Sequence, residues 1–230
     1  MLRTIAKRMV TGTPLEAPLR RMFGAKPMVF KNSNQYWVDR YQREGWNSGA
    51  GSYGRLAAFK AEVLNDFVAK NGVETVLELG SGDGNQASLA RYPAYHGFDI
   101  SPDAVDLCRK RFADDPTKTF SVVADLGETK ADLALSLDVI YHLIEDPVFD
   151  VYMRQLFGAA DRFVAIYASN HDDNPADMTG SHVRHRRFTD WVEAHAPDWD
   201  QSGYLQNRYP FDPDDIDNTS FADFYFFTRR

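Results

Sequence analysis

The chain has 230 residues, 43% of them hydrophobic and 26% charged, with a formal net charge of -7. That balance suits one well-buried core, and no run approaches the roughly 18 uninterrupted apolar residues of a membrane span. The negative charge gives no electrostatic reason to expect a nucleic-acid partner, and Cys108, the only cysteine, excludes an internal disulfide and fits a reducing cytoplasm.

Residues 1–35 carry Arg3, Lys7, Arg8, Arg20, Arg21, Lys26 and Lys31 against one acid, Glu16. Leu2, Ile5 and Met9 have helical spacing, so the first ten residues read as a surface-packed arm or as a contact for an anionic surface, a partner or the mouth of a site. No apolar block of signal-peptide length follows the basic residues. The segment 47–54 holds three glycines and two serines, which predicts a mobile loop. A helix is expected over 55–70, with Leu56, Phe59, Val63, Leu64, Phe67 and Val68 on one face and Asn71-Gly72 ending it.

From there strands and helices alternate. Strands are expected at 75–79, 94–99, 119–124, 132–136 and 162–167, separated by helices near 86–91, 102–113 and 147–159. Pro102 and Pro147 suit a first helical turn, where the missing N–H costs nothing. Such alternation indicates a parallel sheet covered by helices on both faces. After a helix near 189–195, strands at 203–208 and 221–227 follow without a helix between them, hence as an antiparallel pair.

The most informative stretch is Val76-Leu-Glu-Leu-Gly80-Ser-Gly82-Asp83-Gly84. A strand ends in Glu78 and turns through glycines at 80, 82 and 84, which lets the backbone approach a ligand at the C-terminal edge of an open α/β sheet. A dinucleotide site wants Gly-x-Gly-x-x-Gly and a pyrophosphate on the helix N-terminus. Here the third glycine comes one residue too early, and Glu78 would repel a pyrophosphate while attracting a cation. Asp99 closes the second strand, where a carboxylate can accept two ribose hydroxyl hydrogens, and Asp125 follows the third, where one can accept from an adenine amino group. Each acid alone is equally well a helix cap or a solvated strand end; three at successive strand ends are not.

This set closely resembles the class I S-adenosylmethionine-dependent methyltransferases, over roughly residues 54–227. The resemblance implies a Rossmann-like α/β fold: a seven-stranded, mostly parallel sheet with a C-terminal antiparallel hairpin and helices on both faces. It implies S-adenosyl-L-methionine as cofactor, with contacts from Glu78, Gly80, Ser81, Gly82, Asp83 and Gly84, from Asp99 and Ile100, from Asp125 and Leu126, and from Leu137. Ser136-Leu-Asp-Val-Ile-Tyr-His-Leu143 matches the segment bordering the transferable methyl group. The expected division is an arm and lid over 1–53 and a catalytic domain over 54–230.

An oxygen acceptor also needs a base. Tyr141 and His142 follow the fourth strand, and His142, ordinarily titrating near neutrality, can take a hydroxyl proton or can simply fix its loop. His182, Arg184, His185 and Arg186 form a second cluster, either a solvated basic face or a site for a base and an anionic group on the acceptor. Thr189 is expected to cap the helix after strand five, with Arg187 structural. His171, Asp172, Asp173 and Asp177 suit magnesium, but the same residues spell an ordinary loop, and no metal is assigned. Tyr36, Trp37, Tyr41, Trp46 and Tyr53 can stack on a ring or belong to the core. The sequence therefore reads as a cytoplasmic O-methyltransferase of a small polar, sugar-containing or related acceptor. The alternatives are N-methylation of a small molecule or peptide, and a cofactor-binding module without catalysis.

Overall fold

Strand β1 (Thr75–Leu79) forms because Val76, Leu77 and Leu79 are apolar on both faces, the pattern of a strand covered on both sides. The computed structural model describes residues 30–44, 48–175 and 180–230. Around β1 lie β2 (Ala94–Asp99), β3 (Lys118–Val122), β4 (Ala131–Leu137), β5 (Ala160–Ala168), β6 (Trp199–Leu205) and β7 (Asp223–Arg229). The sheet order is β3-β2-β1-β4-β5-β7-β6. Strands β1 to β5 are parallel, and β7 runs antiparallel to both β5 and β6. This is the expected seven-stranded Rossmann-like sheet with its terminal hairpin. The order reverses between β1 and β4, which opens a crevice at their C-terminal ends.

Five α-helices are described: α1 (Ser33–Glu44), α2 (Gly54–Asn71), α3 (Pro102–Arg111), α4 (Asp146–Gly158) and α5 (Phe188–His195). One face of the sheet buries Leu77, Leu79, Phe98 and Ile166 against Met153 and Leu156 of α4 and Phe188 of α5. The other buries Val76, Leu133, Leu135 and Tyr167 against Phe59 and Leu64 of α2 and Val105 of α3. Each fully buried large side chain contributes about 1.5–3 kcal/mol, so this double coverage holds the strand ends rigid.

Expected strands at 75–79 and 94–99 match β1 and β2 in both bounds, and Gly72 caps α2 in the left-handed conformation. The helix expected near 86–91 is only a 3-10 turn, Ala87–Leu89. Its ends are taken by Asn65, which donates to the Leu89 carbonyl and accepts from the Arg91 N–H. β3 stops at Val122 because Val123–Asp125 winds into a 3-10 turn. β6 begins earlier than expected and ends at Leu205, since Asn207 leaves the ladder to bond Asp223, Tyr209 and Ser220. α5 is not capped by Thr189: Arg187 is the N-cap, Asp172 accepts the Arg187 N–H, and Asn170 accepts the Thr189 N–H. The helical face proposed for Leu2, Ile5 and Met9 lies outside the described residues.

Candidate active site

The crevice begins at the turn after β1. Gly80 and Gly82 sit at φ 96° and 58°, and the Gly80 and Ser81 N–H groups both bond the Phe98 carbonyl, at 2.7 and 3.0 Å. A Cβ at Gly80 would collide with Val139, and one at Gly82 with Ser48. Both glycines are therefore required by conformation and by space.

Two carboxylates line this turn and are almost fully buried. Asp99 accepts the Gly82 and Ser101 N–H groups, each at 2.9 Å, yet burial still pushes its pKa up to about 6. Glu78 accepts the Tyr95 hydroxyl at 2.5 Å, and burial pushes it up to about 7. Ser81 Oγ is buried at the same turn without a hydrogen-bond partner. Two acids whose ionised forms are disfavoured by burial, beside an unpaired hydroxyl, call for a ligand carrying positive charge and hydrogen-bond donors. S-adenosylmethionine supplies both, in its ammonium and sulfonium and in its ribose hydroxyls. The donor set therefore fits it.

Beyond Asp99, the exposed Ile100 and the buried Leu126 border a groove of about 690 Å³ running to Arg154 of α4. Asp125 is exposed on the turn that leads into Leu126. Leu137 is buried at the end of β4 and packs with the α2 face of the core. Asp83 is buried and held by its neighbours: it accepts from the Tyr53 hydroxyl and the Asn85 N–H, while its own N–H donates to Ser48 Oγ at 2.9 Å. Tyr41 is bonded to Ser48 Oγ at 2.9 Å, and Asn85 donates to the Ser52 carbonyl at 2.7 Å. Residues 48–53, with the 3-10 turn Ala50–Ser52, thus form a strap fastened to the glycine turn. Residues 45–47, including Trp46, lie outside the described set.

At the end of β4 the Tyr141 hydroxyl donates to Asp138 Oδ1 at 2.8 Å, and burial raises it well above the usual phenol range, so it serves as a donor rather than a base. His142 donates from Nδ1 to the His182 carbonyl at 2.9 Å. A carbonyl only accepts, so Nδ1 holds the hydrogen and Nε2 is the acceptor nitrogen. Burial pushes His142 down to about 4, not the near-neutral value expected from an unperturbed ring. Its ring stacks on His182 at 5.5 Å and meets the Trp37 edge at 4.8 Å, and His182 stacks on Tyr36 at 4.7 Å. Burial and then Arg40 lower His182 as well.

Helix α1, absent from the sequence reading, supplies that aromatic wall. Asn32 accepts the Gln35 N–H at 2.8 Å at its start, and Ser33 ties it to Glu145 and the Ile144 N–H. Asn32-Ser33 followed by aromatics at 36, 37 and 41 was the available signal.

The second cluster turns elsewhere. Arg184 donates to the Ile144 carbonyl at 2.9 Å and pairs with Asp146 at 2.8 Å. Arg186, 9% exposed, donates to the Leu143 and Ile144 carbonyls at 2.5 and 2.6 Å and to Asp146 at 2.9 Å. Both border a groove of about 490 Å³ shared with Trp191 and His195. His185 Nδ1 lies 2.7 Å from Ser169 Oγ, and burial followed by His171 pushes it down to about 4. Among the described residues no group of three or more His, Cys, Asp or Glu side chains converges to hold a metal; Asp177 is outside them.

Residues 77–157 match the model of a family described as methyltransferase domain. Among proteins of curated function none matches the sequence. Solved structures of similar fold include magnesium protoporphyrin IX methyltransferase (ChlM) from Synechocystis PCC 6803 with bound S-adenosylmethionine, at TM-score 0.58 and 16% identity over 99% of this chain and 96% of that one. N-methyltransferase NodS from Bradyrhizobium japonicum WM9 with S-adenosyl-L-homocysteine aligns at TM-score 0.64 and 12% identity, over 86% of this chain and 99% of that one. The methyltransferase domain of bacterial CtHen1 aligns at 0.57 and 18%, over 74% and 96%.

Proposed function

We propose that this chain, which is a class I S-adenosylmethionine-dependent methyltransferase, methylates an oxygen atom of a small polar acceptor, a sugar-containing or related metabolite. The cofactor supplies an electrophilic methyl group on a sulfonium. The chain's residues bind, align and deprotonate. Glu78 receives the cationic end of the cofactor, Gly80, Ser81 and Gly82 leave room for it along the backbone, and Asp99 accepts from the ribose. Ile100, Asp125 and Leu126 border the adenine, and Leu137 backs the site. The strap at 48–53, held on Asp83, excludes water once closed.

The observation that carries the oxygen reading is the fixed His142 ring. With Nδ1 held by the His182 carbonyl, Nε2 is an oriented acceptor that stays neutral across the physiological range. Trp37, beside it and only partly buried, is the wall against which an acceptor ring stacks. A second reading, N-methylation, draws on NodS, an N-methyltransferase of like fold. The two are separated by incubating the chain with methyl-labelled cofactor and a panel of neutral sugars, amino sugars and phenols. An O-methyl product by NMR supports the first reading; exclusively N-methyl products overturn it.

A further inference from the structure

One lysine, Lys60, is buried beside the turn after β4. It lies in the middle of α2, is 1% exposed, and is paired with Asp138 at the end of β4. A buried ion pair is a weak source of stability, because desolvating both charges offsets their attraction, and apolar replacements are often neutral or better. The pair also sits on a strained backbone: Asp138, at φ 59°, is the one non-glycine residue at positive φ among those described. An outlier of this kind is disfavoured and concentrates at working sites. Three further contacts converge on it. The Tyr141 hydroxyl bonds the free carboxylate oxygen, the Asp138 N–H bonds the Tyr167 carbonyl at 2.9 Å, and Gly51 of the strap packs so closely that a Cβ there would stand 2.9 Å from Asp138 Oδ2.

We propose that Lys60 and Asp138 are positioning residues for the cofactor: the pair fixes the turn after β4 beneath the strap and sets the charge that Glu78 meets. The proposal rests on the reading that Glu78 receives the cationic end of the cofactor. Glu78 is faced by Tyr95 and Asp99 from β2, by Tyr92 before it, by Lys60 from α2, by Cys108 from α3, by Tyr152 from α4 and by Asp138. Of these, only Lys60 is cationic. It favours the ionised form of Glu78, Asp99 and Asp138 oppose it, and the tyrosines and the thiol are neutral at physiological pH. Removing one member of the pair therefore leaves Glu78 beside an uncompensated charge, and the sign depends on which member is lost.

The test is calorimetric titration of the full chain with S-adenosylmethionine between about pH 5.5 and 7.5, below the ionisation of the ligand's own amino group near 8. Wild-type affinity is expected to climb about tenfold per pH unit between about pH 6 and the midpoint near 7, as one proton leaves Glu78, more steeply below about 6, where Asp99 loses one as well, and then to level off. Lys60→Met moves that midpoint upward, Asp138→Asn moves it downward, and the double variant returns it towards the wild type. Lys60→Arg keeps the charge and leaves the midpoint in place. A purely structural pair would weaken binding in both single variants without opposite displacements, and that result overturns the proposal. Should Lys60→Met fail to fold, Asp138→Asn decides alone: a midpoint that stays or rises overturns it. Glu78→Gln, run alongside, must abolish the upper step and leave only the lower one from Asp99. Persistence of the upper step overturns the Glu78 reading and this proposal together. Its loss there, with no displacement in the pair variants, overturns only the proposal.

Discussion

Arg186→Met separates a structural role from acceptor binding at a residue the sequence left open between a solvated basic face and an acceptor site. The methionine keeps an apolar stem against Phe149, over which the guanidinium lies at 4.8 Å, but removes every donor. Lost are the bonds to the Leu143 and Ile144 carbonyls, at 2.5 and 2.6 Å, and the pair with Asp146. Asp146 is 71% exposed, so solvent screening leaves that pair little weight. The two charge-assisted bonds are worth about 1.5–3 kcal/mol each, giving a loss of about 3 kcal/mol at the lower values. For a domain of this size each kcal/mol lowers Tm by roughly 2–4 °C, so scanning calorimetry should find a drop of about 6–12 °C. Affinity for S-adenosylmethionine, measured well below the new Tm, should change little. A Tm within about 2 °C of wild type would refute the assignment and return Arg186 to the acceptor.

His142→Gln should preserve cofactor binding and cut turnover about 10²- to 10⁴-fold, with the acid limb of the wild-type pH–rate profile lying near 4 rather than at neutrality; an unchanged profile in the variant removes His142 as base. The free protein should lose stability as pH falls from about 6.5 towards 4.5, by thermal scans across that range. His142 and His185, depressed to about 4, and His96 and His182, also lowered by burial, contribute stability that is lost as pH falls from their unfolded value, and this outweighs the opposite contribution of Glu78 and Asp99, raised to about 7 and 6. Bound cofactor ionises the two acids and cancels their part, so its thermal stabilisation should shrink steadily on acidification. A ligand-induced Tm shift independent of pH contradicts that. Hydrogen exchange at Ser48–Tyr53 should slow when cofactor binds, and unchanged exchange would dismiss the strap as a lid.

What was legible in the sequence was local. β1 and β2 could be bounded because their apolar runs end at a glycine turn and at Asp99. The acids at the strand ends could be found because a parallel sheet brings all such ends to one edge. What was not legible depends on partners far along the chain. Lys60 reads as one more solvated position on an amphipathic helix until Asp138, 78 residues later, takes its charge. Arg186 reads as part of a basic run, and only the carbonyls 42 and 43 residues earlier reveal a tie. The segment 86–91 has helical composition, but Asn65 claims its terminal groups. His142 was found by position, whereas its depressed pKa comes from burial beneath α1, an element signalled only by Asn32-Ser33 and the aromatics at 36, 37 and 41.

The central claim is that the glycine turn after β1 and Asp99 hold S-adenosylmethionine, and calorimetric titration of the free chain tests it most directly. Wild type should bind in the micromolar range, the ordinary range of enzyme substrates. Gly82→Arg should abolish binding, because its side chain must enter space held by Ser48 and Tyr41 at a backbone angle that only glycine adopts freely. Asp99→Ala removes a buried carboxylate and should weaken binding by about 1.5–3 kcal/mol, roughly ten- to a hundredfold. Wild-type affinity in both variants, or no binding by the wild type at any pH, would contradict the account.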